Sequence, residues 1–162
     1  MKILVLGHKN HGKTTLASLL SRFYQLRYAD SSAFVCEKAV FPTLSQRYGY
    51  ATPQECHADR DNHRQEWHDL IHEYNAGDPA RLTRELLAEN DIYCGLRNDV
   101  EFEATWHLYD YILWVDASAT KPLEPATSMK ISYDPLRMMK IDANGTIHEL
   151  ADQLYELRQS DV

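Results

Sequence analysis

Gly7, Gly12, Lys13 and Thr14 fall at the spacing G-x-x-x-x-G-K-T within the opening stretch MKILVLGHKNHGKTT. Residues of these types at this spacing bind phosphate. The glycines permit backbone angles that other residues resist. The N–H groups between them can then converge on an anion. A helix starting near Lys13 adds the positive end of its dipole. The Lys13 ammonium reaches the β- and γ-phosphates, and the Thr14 hydroxyl is placed for Mg²⁺. Asn10, His11 and Thr15 count with the loop as nucleotide contacts. His8, Lys9 and His11 also read as its exposed tip, with Lys9 able to add charge near the phosphates.

Further candidates lie along the chain. Arg97 follows an apolar run and Gly95, where its planar fork can clamp a phosphoryl group or an acceptor phosphate. Asp30 precedes Ser31 and Ser32 and reads either as a general base, also near Mg²⁺, or as a helix N-cap. Arg60 and Arg64 sit one helical turn apart, either as phosphate ligands or as part of an exposed face of ion pairs. Trp67 can stack on a base or fill a core. His68 and His72 have metal-ligand spacing, with His57 and His63 nearby, but zinc also wants a third ligand and a second shell. Solvated histidines are the reading preferred here. Cys36, Cys56 and Cys94 show no short spacing and read as ordinary reduced thiols.

The elements that must position these groups follow from hydrophobic pattern. Ile3, Leu4, Val5 and Leu6 form a short apolar run that Gly7 ends, as in a buried parallel strand. Leu16, Leu19, Leu20 and Phe23 recur at helical spacing. Segments 26–29, 91–95, 111–115 and 138–141 read as further strands. Segments 33–48 (irregular around Pro42), 53–74, 79–89 and 146–157 read as helices. Strands alternating with helices predict an α/β fold, a parallel sheet of about five strands with helices on both faces. Ligands in such sheets bind beyond the carboxyl ends of the strands. Gly7, Asp30, Arg97 and Asp116 all fall there, so one crevice should hold them.

The totals narrow the class. A chain of 162 residues suits one domain spanning 1–162. At 44% hydrophobic it can bury a core, and it has no apolar run near a membrane span's length. A cytoplasmic, non-membrane protein is the expectation. Net charge is −7 and uneven: residues 1–44 carry six Lys/Arg against two acidic residues, while the rest is acidic. Proteins that grip nucleic acid through phosphates are usually basic. Any DNA binding must therefore rest on a local site.

Among phosphate-loop proteins, a GTP switch is disfavoured. The segment Thr120-Lys121-Pro122-Leu123 lacks the guanine-reading aspartate, and Asp142-Ala143-Asn144-Gly145 matches DxxG but follows it, in the wrong order. No strand ends in Asp-Glu, as a motor or transporter ATPase would show. The order GH-x-x-HGKTT, ADSS, DRDNHR-x-EW, GLRNDVEFEA, ILWVDAS, DANGT resembles the phage P-loop kinases related to deoxynucleoside monophosphate and thymidylate kinases. The likeness spans nearly the whole chain and is strongest to the kinases that phosphorylate 5-hydroxymethyluracil in phage DNA.

That resemblance implies a P-loop NTPase fold and γ-phosphoryl transfer from ATP with Mg²⁺. It implies catalytic roles for Lys13, Asp30 and Arg97 and an acceptor side of Ser31, Arg60, Arg64, Trp67 and Arg97. It places Mg²⁺ at Thr14 and Asp30, and the donor base near Asn144 and Gly145. Lys121 is the one cation in a segment where relatives carry lid arginines. The implied acceptor is hydroxymethyluracil in DNA, with a free deoxynucleoside monophosphate as the alternative and a non-catalytic nucleotide-binding module as a third reading. If the chain is phage-encoded, the host cytoplasm is its compartment. Monomer and homodimer are both compatible with the sequence.

Overall fold

A computed structural model describes residues 1–160. Four parallel strands form one sheet in the order β2-β1-β3-β4: β1 (Ile3–Leu6), β2 (Ile92–Cys94), β3 (Tyr111–Asp116) and β4 (Met139–Asp142). Register is fixed by pairs such as Val5↔Cys94, Leu6↔Trp114 and Val115↔Ile141. The expected count of about five strands is corrected to four. Segment 26–29 contributes a single bridge, Tyr28 to Ile92. Gln25, in the left-handed region, precedes it, and a helix starts at Ser31. The Arg27 carbonyl accepts the N–H groups of both Asp91 and Ile92 beside that bridge.

Both faces of the sheet are covered, because β1 is apolar at every position and alternates its side chains. Ile3 and Val5 pack under α1 (Lys13–Tyr24) and α8 (Ile147–Ser160), against Leu16, Leu20, Leu150 and Leu154. Leu4 and Leu6 face α2 (Ser31–Val35), α6 (Arg81–Glu89) and α7 (Asp99–Thr105), against Phe34, Leu86 and Phe102. Helix α7 is absent from the sequence expectation. Its signal is ordinary N-terminal chemistry: Asn98 caps the Glu101 N–H at 3.0 Å, with Asp99 and Glu101 in the first turn.

One expected helix is irregular next to Pro42, as its sequence predicts, and a second is broken. The segment 33–48 divides into α2, a π-helical turn at Cys36–Val40, and α3 (Phe41–Tyr48). Pro42 has no N–H to donate to an α-register, so the bulge falls just before it. The segment 53–74 divides into α4 (Pro53–Ala58), a 3₁₀ turn at Arg60–Asn62 and α5 (Arg64–Tyr74). These helices pack around Cys36, Val40, Leu44, Cys56 and Trp67, a small separate core. All three cysteines are free and buried. Among the described residues no helix is long and apolar enough to cross a membrane.

Glu101 turns inward on α7, is 5% exposed and accepts the Thr83 hydroxyl at 2.7 Å. Burial pushes its carboxyl up to about 7. The native state therefore binds a proton that the unfolded chain has released above an ordinary glutamate pKa. Stability is full at low pH and declines as pH rises from about 4.5 to about 7, by about 3 kcal/mol at 1.36 kcal/mol per pH unit. Glu101→Gln should match the wild type at pH 5 and exceed it at pH 8. Urea unfolding at both values checks this, and an equal gap at the two pH values contradicts it.

Candidate active site

The loop 7–12 leaves β1 and enters α1, with Gly7 at φ 144°, Asn10 at 64° and Gly12 at 94°. A loop that turns through such angles can present backbone N–H groups to an anion. Lys13 donates from Nζ to the His8 carbonyl at 2.7 Å. Burial lowers its pKa, as does the charge of Arg97. The ammonium thus stands across the loop's mouth. Thr14 and Thr15 are exposed.

His11 is not an exposed tip. It is 1% exposed, and its Nδ1 accepts the Ala117 N–H at 3.1 Å. Its Nε2 therefore carries the proton and donates to the Pro122 carbonyl at 3.0 Å. His11 ties the turn after β3 to the loop 7–12, and its side chain is spent on that task. His8 is half-buried and Lys9 is exposed, as a loop tip would be.

Beyond the loop, Tyr28, Asp30, Ser31 and Gly95 lie close to one another and to Lys13 and Thr14. The Tyr28 hydroxyl meets Thr14 and Cys94, and its pKa is pushed up to about 12 by burial, then by Cys94 and Asp30. Asp30 caps α2, as the capping reading expects: Oδ1 accepts the N–H of Ser32 at 2.8 Å and of Ala33 at 3.2 Å, and the Ser32 hydroxyl at 2.6 Å. Partial burial pulls its pKa up, but these hydrogen bonds outweigh it and set the carboxyl below its usual range. Those three bonds leave Oδ2 for a ligand. Ser31 gives its hydroxyl to the Cys94 carbonyl, pinning α2 to β2. A Cβ built on Gly95 would stand 3.9 Å from both Lys13 Cε and Ser31 Oγ, so Gly95 lies beside both side chains.

No protein-family model matches the chain, and no curated protein is significantly similar to it.

A second cleft of about 240 Å³ lies on the other side of the loop. Asn10, His11, Gly12 and Thr15 line it together with Lys121, Asn144 and Gly145. Gly7, Lys13 and Thr14, which the sequence reading groups with these seven as nucleotide contacts, do not line this cleft. Asn144 is internally engaged: its side chain accepts the Ala119 N–H and donates to the Asp116 carbonyl and to Asp142. Its role is to shape the cleft wall, while Gly145 and Lys121 are exposed.

The acceptor-side expectation fares unevenly. Arg60 lies in the 3₁₀ turn and Arg64 opens α5, so they do not share one helical face. Arg60 reaches the His57 carbonyl at 3.1 Å, and exposed Arg64 pairs with Asp61 at 2.6 Å. Trp67 is 8% exposed and packs inside the small core. Its indole N–H has no partner among the described residues. His68 and His72 are exposed, and no group of three or more His, Cys, Asp or Glu side chains arranged for a metal occurs among the described residues. Asp116 is engaged with Lys140 at 2.8 Å.

Two groups at this site were not expected from sequence. His57 brings Nε2 to 2.7 Å from the Ser32 hydroxyl, itself bonded to Asp30. Nothing in the sequence pairs these residues, because α4 must fold onto α2 first. Glu124 bonds both the loop 7–12, at the Lys9 N–H, and Arg97. Its only sequence signal is being the one carboxylate in the segment 117–130.

Proposed function

We propose that this chain is a P-loop kinase that binds ATP·Mg²⁺ and transfers the γ-phosphoryl group to a nucleotide acceptor. The observation that carries the reading is the turn 7–12, with three positive φ angles between a buried strand and a helix and Lys13 across its mouth. The strand order supports it as well, since the central β1 feeds the loop at the carboxyl edge of the sheet. The exposed Thr14 hydroxyl would hold Mg²⁺, a hard cation that favours oxygen ligands, with Asp30 reaching it through a bound water. When bound, Mg²⁺ neutralises phosphate charge.

The chain's own residues supply the rest. The loop and Lys13 hold the phosphates, and Arg97 stands close enough to Lys13 to share the anion. The acceptor oxygen forms the new bond to the γ-phosphorus as the bond to the β-γ bridging oxygen breaks and ADP leaves. The acceptor's proton passes to Asp30. A carboxylate held below its ordinary pKa is a weak base, so Asp30 orients the hydroxyl more than it drives the step. That suffices where the transition state is loose and positioning dominates.

The leading acceptor is the 5-hydroxymethyl group of hydroxymethyluracil in DNA, on the likeness of GLRNDVEFEA and its flanking segments. A deoxynucleoside monophosphate is the second reading, favoured by the net charge of −7. Labelled ATP should mark hydroxymethyluracil DNA and leave thymine DNA unmarked, because thymine offers no hydroxyl. Transfer to free monophosphates alone installs the second reading. Transfer to neither overturns both.

A further inference from the structure

Glu124 is held by the groups that a phosphate would use. Its Oε2 accepts the Lys9 backbone N–H, inside the loop, at 2.6 Å. Its Oε1 takes the Arg97 guanidinium. Its own backbone N–H donates to His8 Nδ1 at 3.0 Å. Partial burial pulls the carboxyl up, yet Arg97, the Lys9 N–H and Lys13 together hold it below its ordinary value. The carboxylate is 14% exposed although its neighbours Leu123 and Pro125 are exposed. An outward-facing segment thus sends one anion inward, onto the phosphate loop.

That segment is fastened at both ends. His11 holds Ala117 and Pro122. Met129 and Ile131 are buried in the main core, and the Lys130 N–H donates to the Arg97 carbonyl at 3.2 Å. Between these anchors the residues 123–128 are exposed except for Glu124.

We propose that Glu124 is an internal anion that occupies the phosphate seat of the free protein, and that polyphosphate binding displaces it. This rests on the reading of 7–14 as a phosphate loop. A carboxylate and a phosphate cannot share the Lys9 N–H and the Arg97 fork, and two anions in one seat repel. The observed affinity of any phosphate ligand is then its intrinsic affinity reduced by the fraction of molecules in which Glu124 has left. A monovalent or divalent stray anion competes poorly, whereas a triphosphate brings enough charge to win the seat. The device keeps the empty loop closed and makes 123–128 a strap whose release is coupled to the donor.

Inorganic tripolyphosphate is the probe, because it has neither base nor acceptor. Its binding to wild type, Glu124→Gln, Glu124→Ala and Lys13→Ala is measured by calorimetry at one salt concentration. Both Glu124 variants should bind it about tenfold more tightly than wild type, the gain for a seat occupied in nine molecules of ten. In unaltered wild type, the Glu124 amide should be protected from hydrogen exchange and lose that protection when tripolyphosphate saturates the protein. If the variants bind no better, or the amide stays protected while binding still depends on Lys13, Glu124 does not hold the seat and this inference alone falls. If Lys13→Ala binds as well as wild type, or no form binds, the phosphate-loop reading falls and takes the inference with it.

Discussion

Lys13→Ala is expected to lower phosphoryl transfer by on the order of 10³-fold while the chain stays folded. Removing one preorganised charge from developing phosphate charge costs about 10²- to 10³-fold where a single donor is lost. Lys13 stands at the upper end, because it offers a full charge in a half-buried position where screening is weak. The structural cost is small. Its recorded bond is to the His8 carbonyl, worth about 1 kcal/mol net. Against that, burial and Arg97 already lower its pKa, so the free protein gives up some stability to keep the charge there. The melting temperature of the variant should lie within a few degrees of wild type. Single-turnover transfer from labelled ATP checks the rate, and near-normal turnover by a folded variant would sink the proposed chemistry.

The central parts of this fold were legible because local chemistry decided them. A four-residue apolar run ending in glycine could only be a buried strand, and β1 is buried at all four positions. The turn 7–12 was legible at Gly7 and Gly12, whose positive φ angles suit glycine, but not at Asn10, which also turns positive at a position the motif leaves open. Where tertiary contact decided the outcome, pattern was silent. The segment 26–29 looks like a strand, yet its neighbours on both sides turn away after one bridge. His11 reads as an exposed tip until the turn at 117–122 folds over it. The burial of Trp67 follows from the packing of α3, α4 and α5 into one small core, which no spacing in the sequence announces. Arg60 and Arg64 have helical spacing in sequence, but the chain inserts a 3₁₀ turn that separates them. Glu124 sits 115 residues from the N–H that it accepts, a separation that no periodicity spans.

Gly7→Ala is the substitution expected to cost the fold most at this site, about 4 kcal/mol. Two separable effects add. Gly7 sits at φ 144°, a region that L side chains rarely adopt, which costs about 1 to 3 kcal/mol. A Cβ there would also stand 2.6 Å from the Val115 carbonyl oxygen. That oxygen belongs to β3, which is paired on both sides with β1 and β4 and cannot yield as a flexible side chain would. Overpacking of this kind costs a further 1 to 3 kcal/mol. Gly49 separates the two effects. It has φ 74°, and a Cβ there meets nothing within 4 Å, so Gly49→Ala carries backbone strain without a clash. Urea unfolding should place Gly49→Ala about 1 kcal/mol below wild type and Gly7→Ala well below that. If the two variants lose equally, the approach of Gly7 to Val115 is not what demands glycine there. The loop would then owe its shape to backbone preference alone, and β3 would have no part in setting the curvature that aims its N–H groups.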